Sequence, residues 1–71
     1  METYFDIRSQ THSEKVQHLL NRSRYPYHVT RFTGADGCIY RFRVTAPQQE
    51  IYALLTHSGI PWQPSEQPAA P

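Results

Sequence analysis

The sequence predicts one small α+β domain, with its elements in the order strand, helix, strand, strand, helix. Apolar and polar residues alternate in short segments, which is typical of half-buried strands. Two other segments carry apolar residues three and four positions apart, which is typical of amphipathic helices. The chain has 71 residues, enough for a single domain with a limited core.

The first predicted strand covers residues 3–8. Phe5 and Ile7 fall on one face of the extended chain. The opposite face carries Tyr4, Asp6 and Arg8. This alternation predicts a strand with one buried face and one face in contact with solvent.

The first helix is predicted over residues 12 to about 23. Thr11 and Glu14 fit a capping box, in which a hydroxyl and a carboxylate each accept a hydrogen bond from an otherwise unpaired backbone N–H group. Apolar residues then recur at helical spacing, at Val16, Leu19 and Leu20. Because the residue before a proline disfavours the helical conformation, Pro26 sets the expected end of this helix.

Residues 27–32 and 38–44 predict a β-hairpin, because the segment between them is rich in turn-forming residues. A loop of residues 34–37 places Thr33 opposite Cys38. The inward face then carries Tyr27, Val29, Arg31, Cys38, Tyr40, Phe42 and Val44. The outward face carries His28, Thr30, Phe32, Ile39, Arg41 and Arg43. A shift by one residue would move two of these arginines into the apolar set, so this register gives the more consistent core.

The second helix is predicted to begin after Thr45 as its cap, with Pro47 in the first turn. Its apolar stripe is Ile51, Leu54 and Leu55. Gly59 is expected to end it in the left-handed conformation. Trp62 either anchors this end against the core or forms a very short fourth strand. The domain is therefore expected to cover residues 1–62, and the Pro-rich segment 63–71 is predicted to be a disordered tail.

This order of elements resembles an abbreviated ferredoxin-like plait, β-α-β-β-α with a possible very short fourth strand. The resemblance implies an antiparallel sheet with two helices on one face and the third strand between the first two. It leaves the other sheet face uncovered and the first strand as an open edge. Unrelated functions occur on this fold, so the resemblance alone implies none of them.

Composition argues against several classes of function. The single cysteine, Cys38, excludes an intramolecular disulfide and is interpreted as a small buried residue. The histidines are far apart, and none stands at a metal-ligand spacing from the cysteine. We expect no metal, no cofactor and no catalytic residue, and we interpret His28 as a surface residue. The start of the chain has no basic and apolar leader, and no apolar run reaches membrane-spanning length, so the predicted location is the cytoplasm, away from membranes.

The hypothesis favoured by these patterns is a non-enzymatic accessory or regulatory module that binds a protein partner. The predicted contact residues are those of the open sheet face, namely Tyr4, Phe32, Ile39, Arg41 and Arg43. A homodimer is also expected, because a chain this short buries little apolar surface alone and has no disulfide or metal to compensate.

Binding of single-stranded nucleic acid is the alternative. Residues 22–43 contain five arginines and one aspartate, a local charge of +4. The segment 37–44 (GCIYRFRV) resembles the third-strand signature of RNA-recognition motifs, although the predicted register turns its two aromatic residues inward. The candidate contacts are Tyr25, Tyr27, Arg31, Arg41 and Arg43. A third hypothesis, a small nuclease, needs a carboxylate cluster, and Asp6 is the one acid on the predicted sheet.

Overall fold

A computed structural model describes residues 1–35 and 37–65 of the chain. The elements are β1 (Thr3–Ile7), α1 (Gln10–Arg22), β2 (Tyr27–Gly34), β3 (Gly37–Val44), α2 (Gln48–Ser58) and β4 (Gln63–Pro64). The strands form one antiparallel sheet in the order β2-β3-β1-β4. The predicted α+β class, with two helices and an antiparallel sheet, is confirmed. Neither helix in the described residues is long and apolar enough to cross a membrane.

Both helices pack against the same face of the sheet. Phe5 and Phe42, opposite each other on β1 and β3, lie at the centre with their rings stacked at 5.0 Å. The other buried apolar side chains of this core are Ile7, Val16, Leu20, Val44, Ala46, Ile51 and Leu55. Because residues alternate between the two faces of a strand, the strand residues before and after Phe5 and Phe42 project away from the helices.

The predicted register of the hairpin is confirmed. Tyr27 pairs with Val44 and Thr33 with Cys38. The ladder continues for one further pair, Gly34 with Gly37, so the connecting loop is shorter than the predicted segment 34–37. Gly37 has a φ of +108°, a conformation that side-chain-bearing residues rarely adopt, and a glycine is therefore required there.

The beginning of α1 differs from the prediction. The N-cap is Ser9, whose side-chain hydroxyl accepts a hydrogen bond from the backbone N–H of His12 at 3.3 Å. Ser9 is extended (φ −107°, ψ 134°), so its hydroxyl reaches the first turn. The capping box of Thr11 and Glu14 was wrong, because both residues lie inside a helix that begins at Gln10.

The end of α1 also has a different cause from the predicted one. Arg24 takes the left-handed conformation with a φ of +62°. The N–H of Tyr25 then donates to the carbonyl of Leu20 at 3.0 Å, and the N–H of Arg24 donates to the carbonyl of Asn21 at 3.1 Å. These two bonds form a Schellman motif, which ends the helix at Arg22. Pro26 is therefore not the residue that stops the helix.

Replacing Arg24 with glycine should stabilise the protein. A residue with a side chain pays roughly 1–2 kcal/mol to adopt the left-handed conformation, whereas glycine adopts it without this cost. Part of the stabilisation is lost because glycine makes the unfolded chain more flexible. We expect Arg24→Gly to raise the free energy of unfolding by about 0.5–1 kcal/mol in urea denaturation. The control Arg22→Gly, inside the last helical turn, should lower it by about 1 kcal/mol. A loss of stability in Arg24→Gly would contradict this account.

The beginning of α2 also requires a correction. Thr45 is not the cap, because α2 begins at Gln48, three residues further on. The N–H of Thr45 donates to the carbonyl of Pro26 at 2.9 Å and extends the ladder between β2 and β3. Pro47 occupies the N-cap position without a side-chain hydrogen bond. Gly59 ends the helix with a φ of +76°, as predicted.

The segment after α2 returns to the sheet. The indole of Trp62 packs on the ring of Tyr52 with centroids 4.4 Å apart. Gln63 and Pro64, predicted as tail, pair with β1 as β4, and the N–H of Ser65 donates to the carbonyl of Tyr4 at 3.2 Å. The expectation that β1 is an open edge was therefore wrong along these residues. The rest of the predicted tail, 66–71, lies outside the described residues.

Candidate functional site

The sheet face turned away from the helices, here called the open face, is built from alternate residues of β1, β2 and β3. They are Tyr4, Asp6, His28, Thr30, Phe32, Ile39, Arg41 and Arg43. The register arranges them in rows across the strands. Tyr4, Arg43 and His28 form the first row, and Asp6, Arg41 and Thr30 form the second. Ile39 and Phe32 form the third row, near the tip of the hairpin.

Arg41 occupies the centre of the open face and is held from two sides. Its Nε donates to Asp6 Oδ1 at 2.8 Å and its Nη2 donates to Asp6 Oδ2 at 3.1 Å, a bidentate ion pair. Its guanidinium carbon lies 5.0 Å from the ring centroid of Phe32. The hydrogen bond to Asp6 raises the pKa of Arg41, so the arginine stays charged. Arg41 is therefore a fixed part of the surface, with its charge balanced within the chain.

Arg43 is held much less firmly than Arg41. Its Nε lies 3.8 Å from Glu2 Oε2, and its side chain is 52% exposed. The hydroxyl of Tyr4 donates to Glu2 Oε1 at 3.0 Å. Desolvation and then this hydrogen bond raise the pKa of Tyr4, so the hydroxyl remains a donor at neutral pH. Arg43 can exchange its loose contact with Glu2 for another acid at little cost.

Phe32 provides the main apolar contact surface of the open face. It is 45% exposed, although it is a large apolar residue. It lines a hollow of about 110 Å³ shared with Tyr4, His28, Thr30, Arg41 and Arg43. It also lines a second hollow of about 230 Å³ toward the hairpin tip, together with Arg8 and Ile39. Phe32 thus forms a ridge between two shallow depressions.

The predicted partner-binding residues lie together on this face. Tyr4 is opposite Arg43, and Phe32 is opposite Ile39. Arg41 lies between these two pairs and contacts the Phe32 ring. One continuous surface therefore contains all of them.

The residues of the nucleic-acid alternative do not lie on one surface. Arg41 and Arg43 are on the open face. Tyr27 faces the helices, with its ring 6.1 Å from that of Phe42, and Arg31 shares that side of β2. Tyr25 lies outside the sheet, and its hydroxyl donates to Glu50 Oε1 on α2 at 2.9 Å. This hydrogen bond raises the pKa of Tyr25.

The residues considered for metal binding and nuclease activity are placed as follows in the described part of the chain. No group of three or more histidine, cysteine, aspartate or glutamate residues there is arranged to hold a metal ion. Asp6, the acid of the nuclease hypothesis, is paired with Arg41. His28 is exposed, as interpreted from the sequence. Cys38 was expected to be buried but is half-buried, because it lies near the exposed hairpin tip, with its sulfur 3.8 Å from the hydroxyl oxygen of Thr33.

Sequence reasoning missed the contribution of two acids to this surface. Asp6 fixes Arg41, and Glu2 contacts both Tyr4 and Arg43. Asp6 was assigned to the correct face, but its pairing with Arg41 depends on the register between β1 and β3. No local pattern specifies that register, because the two residues are 35 positions apart.

Comparisons with protein-family models, with curated proteins and with solved structures found no match to this chain.

Proposed function

We propose that this protein is a small non-enzymatic accessory or regulatory module, that it binds a protein partner through the open face, and that it is a homodimer. The observation that carries the proposal is the exposed ring of Phe32, which stands between two hollows beside a fixed arginine. Aromatic residues and arginine are enriched among the residues that dominate binding energy at protein interfaces. The cytoplasmic location remains a prediction from the sequence.

The rigidity of the central arginine supports this proposal. Ordering a long side chain at an interface reduces affinity, and that cost is small when the side chain is already held. Asp6 and Phe32 hold Arg41 before any partner arrives. Partner atoms therefore meet a preformed surface at Phe32 and Arg41.

The loose arginine indicates the chemistry of the partner. Arg43 is half-exposed and its contact with Glu2 is long, so an incoming carboxylate can replace Glu2. Phe32 offers exposed apolar area and lines the same hollow as Arg43. We propose that the partner presents an apolar side chain for the Phe32 ridge and an acid for Arg43.

Substitutions on the open face should weaken partner binding. We expect Phe32→Ser combined with Arg43→Glu to reduce affinity roughly 100-fold, because an aromatic contact and a charge contact are lost together. The measurement is quantitative co-purification of tagged protein from the cells that express it. The matched control is Lys15→Glu, the same type of charge reversal at an exposed position of α1. Partners retained equally by the double variant and the control would overturn the assignment of this face.

We further propose that the fold is an abbreviated ferredoxin-like plait. Its support is the element order, the position of β3 between β2 and β1, and the single core shared by both helices. The short β4 beside β1 occupies the place of the last strand of such a plait.

Single-stranded nucleic acid is the second candidate partner, and one observation favours it. The exposed ring of Phe32 lies on the same face as Arg43, and Arg8 lines the neighbouring hollow, so a base can stack where phosphates meet cations. With two phosphate contacts, the logarithm of the binding constant should fall against the logarithm of salt with a slope of about −1.4. Titration of a labelled oligonucleotide at several salt concentrations measures this slope. Absent or salt-independent binding removes this candidate.

A further inference from the structure

Strand β2 is a long, free edge of the sheet. It runs from Tyr27 to Gly34 at one end of the order β2-β3-β1-β4, whereas the other edge, β4, has two residues. From Thr30 to Gly34 its residues are all exposed. Among the described residues, no strand pairs with the outer side of β2.

The hydrogen-bond pattern identifies which residues of β2 face outward. The N–H of Thr45 donates to the carbonyl of Pro26, so this pair is a bonded pair of the ladder between β2 and β3. Bonded and non-bonded pairs alternate in antiparallel sheets, and the register therefore makes His28, Thr30 and Phe32 bonded to β3. The backbone groups that point outward belong to the residues between them. They are Tyr27, Val29, Arg31 and Thr33.

This edge lacks most of the features that protect edge strands from pairing. Natural edges are short, bulged, or carry proline or charged side chains, especially lysine. The register of β2 with β3 continues from Tyr27 to Gly34 without a bulge, and the segment contains no proline and no lysine. Its one permanently charged residue is Arg31. The outer side of β2 is therefore competent to add another strand.

We propose that β2 pairs in antiparallel fashion with β2 of a second copy of this chain, about a twofold axis that passes beside Thr30. The inference rests on the homodimer part of the proposed function and names where the two copies meet. In this register Val29 lies opposite the partner's Arg31 and Tyr27 lies opposite the partner's Thr33. The register engages every outward-facing backbone group from Tyr27 to Thr33.

A second copy suits this edge for two reasons. The proposed register sets no like charges opposite each other, because Arg31 faces the partner's Val29. On the open face it sets His28 opposite the partner's Phe32, which covers part of the ring that is exposed in one copy. The two sheets then form one continuous sheet, and the two open faces become one larger face that presents Arg43 twice.

Proline substitution at an outward-facing position tests the pairing. Arg31→Pro removes an N–H that the ladder with β3 does not use, and edge strands tolerate proline at such a position. We expect its dimer dissociation constant to rise roughly 100-fold in light scattering across a concentration series. The matched control is Arg31→Ala, which removes the same side chain but keeps the N–H and should remain dimeric. Circular dichroism verifies that both variants are folded.

Amide hydrogen exchange of the wild-type protein gives an independent answer if Arg31→Pro fails to fold. The proposal predicts that the amides of Tyr27, Val29, Arg31 and Thr33 become protected as concentration rises through the dimerisation range. A dimer in which these amides stay fast overturns the β2 pairing and leaves the homodimer part of the proposed function intact. A monomer at all concentrations overturns both. If these amides are protected in a monomer at every concentration, a segment of the same chain covers β2. That result would also overturn the pairing.

Discussion

Phe42→Ala should remove most of the stability of this protein. The Phe42 side chain is fully buried, stacks on Phe5 at 5.0 Å and contacts the ring of Tyr27. Truncating a buried phenylalanine leaves a cavity and costs about 3–5 kcal/mol. Small domains are stable by only about 5 kcal/mol or a little more. We expect the variant to be largely unfolded at 37 °C, as measured by thermal melts followed by circular dichroism.

The same substitution at an exposed site provides the control for Phe42→Ala. Phe32 is on the neighbouring strand but is 45% exposed on the open face. Phe32→Ala loses its contact with Arg41 and should cost less than about 1 kcal/mol. Equal losses for the two variants would contradict the assignment of the core to the helix side of the sheet.

Arg41→Ala should destabilise the protein by about 1–3 kcal/mol, the second largest effect that we expect. The Asp6 side chain is 14% exposed beside Arg41, so removing Arg41 takes the bidentate partner from a partly shielded carboxylate. Asp6→Ala should cost less, because the Arg41 side chain is 30% exposed and can turn toward water. The double variant Asp6→Ala with Arg41→Ala should lose about 1–2 kcal/mol less free energy of unfolding than the sum of the two single losses, as measured by urea denaturation.

Arg43→Ala is the control for the double-mutant cycle formed by the Asp6 and Arg41 substitutions. Arg43 is also an arginine of β3 on the open face, but its contact with Glu2 is 3.8 Å long and both side chains are about half-exposed. Exposed pairs of this kind contribute between 0 and about 1 kcal/mol. A coupling energy near zero between Asp6 and Arg41, or an equal loss in Arg43→Ala, would show that Arg41 is not the fixed centre of the face.

The parts of the fold that the sequence predicted well depend on short-range patterns. The hairpin register follows from alternation in two strands joined by a short turn, because a slip of one residue would bury Arg41 and Arg43. The assignment of Tyr4, Phe32 and Ile39 to the uncovered face follows from the same alternation.

The helix ends were predicted less well, because several residues competed for each cap. Ser9 and Thr11 are both suitable N-caps, and the extended backbone at Ser9 decides between them. Arg24 in the left-handed conformation was not predictable from local propensity, since glycine is the usual residue there. Thr45 had the side chain of a cap, but the ladder with Pro26 uses its backbone.

The arrangement within the site depends on contacts between distant parts of the chain. Asp6 meets Arg41, and Gln63 pairs with Asp6, because β1 lies between β3 and β4. Because β4 covers part of β1, β2 is left as the long free edge of the sheet. Local periodicity carries no information on these pairings. The residues of the open face could therefore be predicted from the sequence, but the ion pair that fixes Arg41 could not.

A photoreactive residue on the open face tests the central claim most directly. p-Benzoylphenylalanine is placed at Phe32 and, as a control, at His18, which is exposed on α1. After irradiation in the cells that express the protein, position 32 should give an adduct with a protein other than a second copy, besides the cross-link to the second copy that the β2 pairing implies. Position 18 should give neither. Adding Arg43→Glu should suppress the adduct with the other protein. An adduct from position 18 with none from position 32 would contradict the account, because it would move the partner to the helical side of the domain.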